Sequence, residues 1–487
     1  MFKFFMILFL FSGFASAESL RWAADTESGA PYVFYDAESL VMTGFEFDLV
    51  QALSQKMNRE PRFVQNAWDG LILGLNNNLY DVAINGIEIT EDRKKSVYFS
   101  EPYYATHVKI ITKQGDTRFK KLSDLPSFKI GTLGGALSER ILRSEEGVKI
   151  VTYESEALAH QDLLLGRTDA IFLDAPIAKY YSEVDKRFQI VPTEIGAMTY
   201  GIAISKKNPE LLKSVNRALS DLINSGELKT IYEKWGLWNA ATASLFGDTT
   251  LNRLKPTSFD KYKSHLNNDR SWKDKFEIYQ KVGPLFLKAA WQTIKISFLA
   301  MIVAVVLGLL IVGLRLYGPR PLQYLTTGFV ELIRGTPLLL QLFFIFYALP
   351  GIGIEIPALW AAIMTLGINY SVQESEIYRS GLTNIHKNQI EAAYMLGLTK
   401  WQTFWSIQLP QAIKLCLGPM TTDFIALIKD SSLVSVITLV ELTKTYSLLS
   451  STYYEYFGFA ILTATLYLLI GMPLVILSRK LEQKLIK

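Results

Sequence analysis

The sequence predicts an α/β domain followed by an all-α membrane domain. Short apolar strands alternate with amphipathic helices between Leu20 and about Trp238, whereas residues 284–487 are dominated by long apolar runs. A polar and charged stretch at 239–283 separates these halves. The chain has 487 residues, which is enough for two or more domains, and its 49% hydrophobic content averages over the unlike halves.

Residues 1–17, MFKFFMILFLFSGFASA, predict a secretory signal peptide. Lys3 supplies the charged start, Phe4 to Phe11 form the apolar run, and Ala-Ser-Ala at 15–17 is a small-residue cleavage site. The apolar run is well below the ~20 residues of a membrane span, which favours cleavage over an uncleaved anchor. The domain at 18–238 is therefore expected to be exported.

The alternation in the exported half predicts an α/β fold with mostly parallel sheets. The segment FEFDLVQALSQKM has helical spacing, and one face contains Phe47, Val50, Leu53 and Met57. Ligand sites in such folds lie at the carboxyl ends of strands and at helix N-termini. The predicted strands are LRWAAD, the run around PRFVQ, YDVAINGI, VKIITK, FKIGTL, TDAIFLD and YGIAIS.

Three ionisable residues lie just after predicted strands, where a ligand site is expected. Asp25 follows the first strand, Arg93 lies in GIEITEDRKK, and Asp174 follows AIFL. An arginine can hold a carboxylate through two parallel hydrogen bonds, and an aspartate can hold an ammonium group. Together the three residues suit a zwitterionic ligand, although each taken alone is more typical of surface charge.

A family resemblance is carried by LRWAADTESGAPYVFYD, GFEFDLVQALSQKM, WDGLILGLNNNLYDVAINGIEITEDRKKSVYFSEPYY and YGIAISKKNPELLKSVNRALSDLINSGELKTIYEKWG. These stretches strongly resemble the periplasmic binding proteins for polar amino acids, of the glutamine- and histidine-binding type. The resemblance covers about residues 19–238 and implies a two-lobed, type II fold that closes on an amino acid. It implies that Arg93 holds the ligand α-carboxylate and Asp174 the α-amino group. The further positions that line the family's cleft are Asp25, Trp68, Asn85 and Gly86.

Three departures from that family concern the cleft. Glu88 stands where the family usually has Ser or Thr, and Ala136 and Leu137 in GTLGGAL stand where hydroxyls are expected. The segment Thr26–Ala30 is one residue longer than usual. The identity of the ligand therefore does not follow from the resemblance.

The charge of the cleft leaves two alternatives. If the carboxylates of Asp25, Glu88 and Asp174 all face the cleft, they outnumber its one guanidinium, and the site is net negative. A net negative site favours a cationic ligand such as arginine, lysine or ornithine. The alternative is that Glu88 simply pairs with Arg93 or faces solvent.

The stretch 239–283 is poor in periodic apolar residues and predicts a linker, with one candidate helix from Ser271 to Tyr279. Fully extended, its ~45 residues would reach roughly 150 Å. A tether of this kind raises the local concentration of the binding domain at the membrane.

The membrane half, 284–487, is predicted to cross the membrane about five times. Most of its apolar runs have the ~20 residues that a span needs, and the fourth is short and polar. With the N-terminal domain outside, the basic residues follow the positive-inside rule, with Lys288 and Lys444 as mild exceptions. The candidate spans are Trp291–Leu314, Tyr324–Leu349, Pro357 to about Ile377, Leu415–Ile428 extended by SLVSVITLV, and Phe457–Leu477. The cytoplasmic side then contains the C-terminus and Arg315, Arg320, Arg379, Lys387, Lys400, Lys414, Arg479, Lys480, Lys484 and Lys487.

A helical pair, EAAYMLGLTKWQTFWSIQLPQ at 391–411, lies on the cytoplasmic side of this arrangement. The first helix is predicted to end at Gly397, a residue suited to a left-handed cap. Thr399 and Gln402 have the spacing of a capping box for the second helix, which Pro410 is expected to end. The apolar residues of the second helix are expected to pack either on the protein's own spans or on a partner. Physical arguments alone favour packing on the protein's own spans. These apolar residues are Trp401, Phe404, Trp405 and Ile407.

The sequence EAA, followed by Gly397 and then by IQLP, matches the EAA loop of importer permeases of the ATP-binding-cassette (ABC) class. The flanking segments ELIRGTPLLLQLFFIFYALP, SEIYRSGL and FIALIKDSSLVSVITLVELT resemble the polar amino-acid permeases over about 285–480. The resemblance implies that the loop docks on an ATPase subunit. The residues implied in this docking are Glu391, Ala392, Ala393 and Gly397.

The energy source is expected on another chain, because no phosphate-binding GxxxxGK[ST] sequence occurs in this one. One permease half cannot form a two-fold pore, so the expected assembly is a permease homodimer with two ATPase subunits in a bacterial inner membrane. Glu374 lies inside a predicted span, where charges are functional candidates. It either contacts a cationic substrate in transit or, as a helix-end carboxylate, pairs with Arg379 or with a polar group of a neighbour.

The sequence thus predicts the fused binding-protein and permease subunit of an importer for polar amino acids. A ligand-gated channel or a sensor is the alternative, but the binding domain runs unbroken to Trp238 and no TVGYG-type filter is present. An enzyme lacks a supporting pair of nucleophile and base.

The net charge of +4 gives no argument for nucleic acid, and Cys416 alone excludes an internal disulfide framework. Four scattered histidines predict no metal site, and no cofactor is expected.

Overall fold

The computed structural model of the protein describes residues 18–27, 29–248, 250, 254–265, 271–453 and 455–486. The predicted signal peptide at 1–17 and Lys487 lie outside the described residues, and so does the side chain of Lys484. Separate apolar cores form in the exported half, around Trp22 and Phe172, and in the membrane half, around Ile296 and Tyr370.

The chain first builds most of lobe one of the exported half. Its elements are β1 (Ser19–Ala24), β2 (Phe34–Tyr35), β3 (Met42–Thr43), α1 (Phe45–Lys56), β4 (Glu60–Gln65), α2 (Leu71–Asn76), β5 (Val82–Ala83), α3 (Glu91–Ser96) and β6 (Val97–Phe99). Helix α1 covers the sheet because Phe45, Leu49 and Leu53 share its buried face. Strand β1 pairs in parallel with β4 and β5, so their carboxyl ends meet at one edge.

The chain then crosses at 100–103 and builds lobe two. Its elements are β7 (Tyr104–Lys113), β8 (Lys129–Leu133), α4 (Leu137–Ser144), β9 (Lys149–Tyr153), α5 (Glu156–Leu165), β10 (Ala170–Asp174), α6 (Ala175–Ile177, continued by a π-helical turn to Glu183), β11 (Phe188–Ile190) and β12 (Ile195–Tyr200). The strand order is β11-β7-β10-β8-β9, with β12 also paired to β7. Strand β10 is buried throughout, which suits a central strand covered on both faces.

A second crossing at 201–202 returns the chain to lobe one and ends in helices that join the halves. Its elements are β13 (Ala203–Ser205), α7 (Pro209–Asn224), α8 (Glu227–Lys234), α9 (Ala240–Leu245) and α10 (Thr257–His265). The sheet of lobe one then has the order β4-β1-β5-β13-β6. Two short crossings therefore form the hinge.

The expectation of mostly parallel sheets is wrong. The pairs of β1 with β4 and β5, and of β8 with β9 and β10, are parallel. Strand β13 runs antiparallel to β5 and β6, and β7 runs antiparallel to β10, β11 and β12. The strands next to the two crossings arrive from the opposite lobe, so they enter each sheet against its parallel strands.

The predicted linker is largely folded. Phe259 of α10 packs its ring 4.9 Å from that of Tyr180 in lobe two, and Tyr262 of α10 lies 5.7 Å from Phe34 in lobe one. Lys261 forms an ion pair with Asp36 at 3.4 Å. Helix α10 therefore belongs to the exported half and contacts both lobes.

Where the structure describes it, the membrane half consists of helices and the loops that connect them. Its helices are α11 (Trp272–Tyr317), α12 (Arg320–Arg334), α13 (Leu338–Phe343), α14 (Ala358–Thr383), α15 (Lys387–Met395), α16 (Lys400–Thr403), α17 (Leu409–Asp430), α18 (Leu442–Tyr453) and α19 (Tyr456–Ile486). Helices α11 and α14 approach closely at two glycines. A Cβ added at Gly308 would lie 2.9 Å from Cβ of Glu374, and one at Gly367 would lie 2.6 Å from Val303.

Among the described residues, two helices are long and apolar enough to span a membrane, Trp272–Tyr317 and Tyr456–Lys480. The second predicted span is not one straight helix, because Arg320–Arg334 and Leu338–Ile352 meet at 105°. Pro337 lacks an N–H group and disfavours the helical conformation of the residue before it, which ends α12. The pair counts as a third span if both parts cross together, so about five spans remains a prediction.

Candidate functional site

A closed cavity of about 10 Å³ lies between the lobes. This is room for at most one water molecule, so the lobes must separate at the hinge before an amino acid can enter. Its walls contain five of the predicted ligand residues, whereas Asp25 and Arg93 lie beside it. Lobe one contributes Tyr32, Trp68, Asn85, Gly86 and Glu88. Lobe two contributes Leu133, Ala136, Ser138, Glu156, Leu173, Asp174 and Ile177.

Asp174 ends β10 with its carboxylate inside the cavity. Oδ2 accepts a hydrogen bond from the Tyr200 hydroxyl at 2.5 Å and a longer one from the Tyr32 hydroxyl at 3.4 Å. Burial raises the pKa of Asp174 to about 7, and the negative charge of Glu88 adds to this rise. Ionisation of Asp174 in the empty cavity is therefore unfavourable, and a bound cation would favour it.

Arg93 and Glu88 form an ion pair at the edge of the cavity. The second carboxylate oxygen of Glu88 accepts the backbone N–H of Leu137, at the start of α4 in lobe two, at 2.7 Å. The Arg93 guanidinium also donates to the carbonyl of Gly135 at 3.1 Å and lies 5.4 Å from the ring centre of Trp68. The two lobes are thus held together by a carboxylate of the chain itself.

Asp25 supports the cleft from behind. Its Oδ1 accepts the side-chain N–H of Gln65 at 2.9 Å, and its Oδ2 accepts the backbone N–H of Trp68 at 2.9 Å. Its own backbone N–H donates to Asn85 at 2.7 Å. Asp25 therefore orients two residues of the cavity wall.

Gly86 is the position where the wall requires a glycine. Its φ is +63°, and a Cβ there would lie 2.8 Å from the ring of Tyr32. Its N–H donates to the buried Glu46 at 2.7 Å. Burial raises the pKa of Glu46 to about 8, so this carboxyl group is mostly protonated at neutral pH.

Glu156, the first residue of α5, lines the cavity and was not predicted as a site residue. It is buried, and its Oε2 has no hydrogen-bond partner among the residues that the structure describes. Burial raises the pKa of Glu156 well above its ordinary value. In the sequence, an acidic residue in the first turn of a helix is ordinary, because it complements the helix dipole, so nothing marks it as a site residue.

The EAA loop is built as the capping signals predict. Gly397 has a φ of +83°, its N–H donates to the Tyr394 carbonyl at 3.0 Å, and the Leu398 N–H donates to the Ala393 carbonyl at 3.1 Å. These two bonds form a Schellman cap for α15. Thr399 forms the expected capping box with Gln402.

Pro410 does not end the second helix, contrary to expectation. A π-helical turn at Phe404–Gln408 precedes it, and Pro410 is the second residue of α17. The Leu409 N–H bonds to the Phe404 carbonyl across this π-helical turn, so the regular i→i−4 bonding is already interrupted where Pro410, which has no N–H, enters the helix.

The loop exposes an apolar surface. Leu396 and Trp401 are 83% and 69% exposed, whereas Phe404 is half-buried, with its ring 6.4 Å from Tyr317 of α11. Ala393 is buried. The surface comprises Tyr394, Met395, Leu396, Trp401 and Trp405, next to the exposed Glu391 and Ala392.

Glu374 lies fully buried in α14. Arg379, its expected partner, instead pairs with Glu376 at 2.8 Å, as does Arg315 at 2.5 Å. Within the described part of the chain, Glu374 has no ion pair.

No group of three or more His, Cys, Asp or Glu among the described residues is arranged to hold a metal ion.

Two families match the two halves. Residues 20–237 match the bacterial extracellular solute-binding proteins, family 3, and residues 298–487 match the binding-protein-dependent transport system inner membrane component. Both are families of transport components, which favours the importer over the channel and the sensor.

Similar curated proteins match one half each. The probable amino-acid ABC transporter permease protein YckA of Bacillus subtilis is 35% identical over 201 residues, 41% of this chain and 89% of YckA. The L-cystine-binding protein TcyJ of Escherichia coli K12 is 30% identical over 212 residues, 43% of this chain and 80% of TcyJ. The ABC transporter arginine-binding protein 1 of Escherichia coli K12 is 30% identical over 229 residues, 46% of this chain and 93% of that protein. The chain therefore belongs to the amino-acid ABC importers, as a subunit that joins a family 3 solute-binding domain to an inner-membrane permease domain.

Proposed function

We propose that the importer takes up an amino acid with a second cationic group. The observation that carries this proposal is that the cavity wall contains the carboxyl groups of Glu88, Glu156 and Asp174, while the guanidinium of Arg93 beside it is already paired with Glu88. Asp174 holds the α-ammonium group, Arg93 holds the α-carboxylate after release from Glu88, and Glu156 receives the second cation. Arginine and cystine, the ligands in the names of the two binding-protein relatives, each carry two cationic groups.

Titration calorimetry on the full-length chain tests this with arginine, lysine, ornithine, cystine, glutamine and glutamate. Binding of an amino acid with two cationic groups, such as arginine, is expected, and Asp174→Asn and Glu156→Gln each weaken it about tenfold or more, since each removes a charged hydrogen bond. Glu146→Gln, an exposed carboxylate of the same lobe, serves as the control. Tight glutamate binding without arginine binding would refute the assignment.

The membrane topology is proposed as follows. Residues 1–17 are removed, the domain at 18–238 lies outside, and the EAA loop and the C-terminus lie in the cytoplasm of a bacterial cell. Helices α14 and α17 have 26 and 22 residues, or ~39 and ~33 Å at 1.5 Å per residue. Both helices connect the EAA loop to the rest of the chain, and each is long enough to cross a ~30 Å hydrocarbon core. Their lengths therefore support a loop on the opposite side of the membrane from the exported half.

The EAA loop is proposed to dock a separate ATPase, two copies serving a permease homodimer. Its exposed apolar surface supports this, because an apolar patch beside polar residues marks a protein contact. Trp401→Glu is expected to abolish co-purification of the ATPase subunit. Lys400→Glu, an exposed neighbour with the same new charge, is the control, and unchanged co-purification of the Trp401 variant would contradict the docking.

Glu374 is proposed to contact the cationic substrate in transit. Its burial without an ion pair in the described part of the chain supports this, because an intramembrane carboxylate normally has a partner or a pathway function. Glu374→Gln is expected to lower uptake about tenfold while substrate binding to the exported half stays unchanged. Asp430→Asn is the matched control for a general packing effect, since Asp430 is bonded to the Tyr370 hydroxyl at 2.7 Å. Wild-type uptake in the Glu374 variant would exclude the pathway role.

A further inference from the structure

An ion pair joins the exported half to the membrane half. The carboxylate of Glu27, in the loop after β1, lies 2.8 Å from Nζ of Lys444 in α18. Lys444 is only 5% exposed, and a buried ammonium group requires a counter-charge. Glu441, just before α18, instead accepts the backbone N–H groups of Thr443 and Lys444. Glu27 therefore supplies the compensating charge from the other half.

Further hydrogen bonds flank this pair. The Tyr453 hydroxyl of α18 donates to the Ala37 carbonyl at 2.6 Å, and Lys281 of α11 donates to the same carbonyl at 3.2 Å. Asn77 in lobe one donates to the carbonyl of Tyr347, after α13, at 2.8 Å. The exported half thus rests on three separate elements of the membrane half.

The covalent connection keeps the two halves near each other. Only six residues separate the end of α10 at His265 from the start of α11 at Trp272. Six residues reach at most ~22 Å. Because α10 is packed on both lobes, this short segment, rather than the whole of 239–283, limits how far the exported half can move.

The loop that carries Glu27 is also connected to the cleft. The backbone N–H of Glu27 donates to Oδ1 of Asp25 at 3.0 Å, and Oδ2 of Asp25 holds the N–H of Trp68. The indole of Trp68 donates across the cleft to the Gly134 carbonyl of lobe two at 3.1 Å. Asp25 therefore binds both the loop that carries Glu27 and the tryptophan that bridges the closed lobes.

We propose that each exported domain docks on the membrane half of its own chain, and that the Glu27–Lys444 ion pair couples closure of the cleft to α18. This inference rests on the proposed importer homodimer, in which docking on the neighbouring chain is the alternative. Glu27 lies in the segment Thr26–Ala30, which departs in length from the family resemblance. Lys444 is a positioning residue, since it touches neither substrate nor nucleotide.

Cross-linking of the full-length chain distinguishes the two docking modes without measuring transport. Glu27→Cys and Lys444→Cys are combined with Cys416→Ser and with a protease site between α10 and α11, and membranes are treated with a short bismaleimide. Own-chain docking predicts a cross-linked species of single-chain mass whose fragments stay joined after proteolysis. A species with the mass of two chains, or no cross-link, would overturn the proposal.

Charge exchange tests the coupling, with uptake of radiolabelled L-arginine as the readout. Glu27→Lys and Lys444→Glu alone each lower uptake about tenfold or more, because like charges then face each other. Both substitutions in one chain restore it, and the exposed control Lys273→Glu leaves it unchanged. Single variants that the exchange does not rescue would overturn the coupling.

Mixed dimers complete the test. When one chain carries Glu27→Lys and its neighbour carries Lys444→Glu, every own-chain pair is repulsive and every pair between chains is attractive. Own-chain docking predicts that these dimers stay inactive, and recovered uptake would overturn it. Both single variants are expected to still bind L-arginine, because neither side chain lines the cavity. If the wild type itself neither binds nor takes up L-arginine, the proposed substrate has failed, while the cross-link still decides the docking mode.

Discussion

At the residue scale, the closed cleft contains its own carboxylate. Glu88 offers one oxygen to Arg93 and the other to the N–H of Leu137 at the start of α4. A guanidinium and a helix N-terminus are both favourable partners for a carboxylate. Glu88 therefore occupies the place proposed for the α-carboxylate of the ligand, and the ligand must displace it.

Glu88→Ser is expected to strengthen ligand binding about tenfold or more, because Arg93 and the α4 N-terminus become free for the ligand. Titration calorimetry with L-arginine measures the change. Glu91→Ser, which removes an exposed carboxylate nearby, is the control. Weaker binding in the Glu88 variant would mean that Glu88 holds the ligand's second cation instead.

Asp174 makes binding depend on pH. Its pKa of about 7 in the empty cleft means that it is mostly protonated below pH 7 and ionised above it. A bound ammonium group favours the ionised form, so binding at lower pH must release a proton. From pH 7 to pH 6, affinity is expected to fall by up to about tenfold.

Calorimetry in two buffers of different ionisation enthalpy measures this proton release directly. Asp174→Asn should abolish the release together with most of the affinity. An affinity that stays constant between pH 8 and pH 6 would contradict the assignment of Asp174 as the ammonium partner.

The sequence predicted cleft residues where they follow strands or a family motif. Trp68, Asn85 and Asp174 lie in the cavity wall for that reason. Glu156 was not predicted as a site residue, because an acidic residue is ordinary in the first turn of a helix. The supporting role of Asp25 was not predicted either, because it depends on hydrogen bonds to residues 40 and more positions away. Such long-range partners leave no local pattern.

At the scale of elements, strand and helix types were predictable, and their directions were not. Apolar segments located β1, β8 and β10, but nothing within a strand indicates that β7 and β13 run against their neighbours. Their direction follows from the two crossings between lobes. Likewise, capping residues predicted the bend at Gly397, whereas the π-helical turn that lets Pro410 continue a helix has no sequence signal.

Gly397→Val tests the EAA loop as an element. A φ of +83° strains a side chain by roughly 1–2 kcal/mol. Since no atom of the described residues lies within 4 Å of an added Cβ, the effect is on the bend. Uptake and substrate-stimulated ATP hydrolysis are expected to be lost while ligand binding remains. Gly353→Val imposes the same strain at +87° outside the loop and should preserve both activities. Full uptake in the Gly397 variant, with the ATPase assembled, would contradict the coupling role.

At the scale of the whole molecule, the largest difference from expectation is the linker. The stretch 239–283 has the composition of a flexible tether, yet α10 buries Phe259 against Tyr180 and α11 begins at Trp272. Two aromatic residues suffice to dock a short polar helix when a matching aromatic surface exists elsewhere in the chain. Periodicity within the segment cannot reveal an aromatic surface on the lobes. The sequence therefore predicted a long tether, whereas the structure has only a short connection between α10 and α11.

Helix α10 is therefore expected to stabilise the exported half. Phe259 is 6% exposed, and truncation of a buried phenylalanine costs about 3 kcal/mol. Phe259→Ala in a fragment of residues 18–265 should lower the free energy of unfolding in urea by that amount, and a fragment ending at 238 should lose at least as much. Lys263→Ala, on the exposed face of the same helix, is the matched control. Equal stability of the three variants and the intact fragment would show that α10 does not hold the lobes, and that the predicted tether of some 45 residues is free to extend.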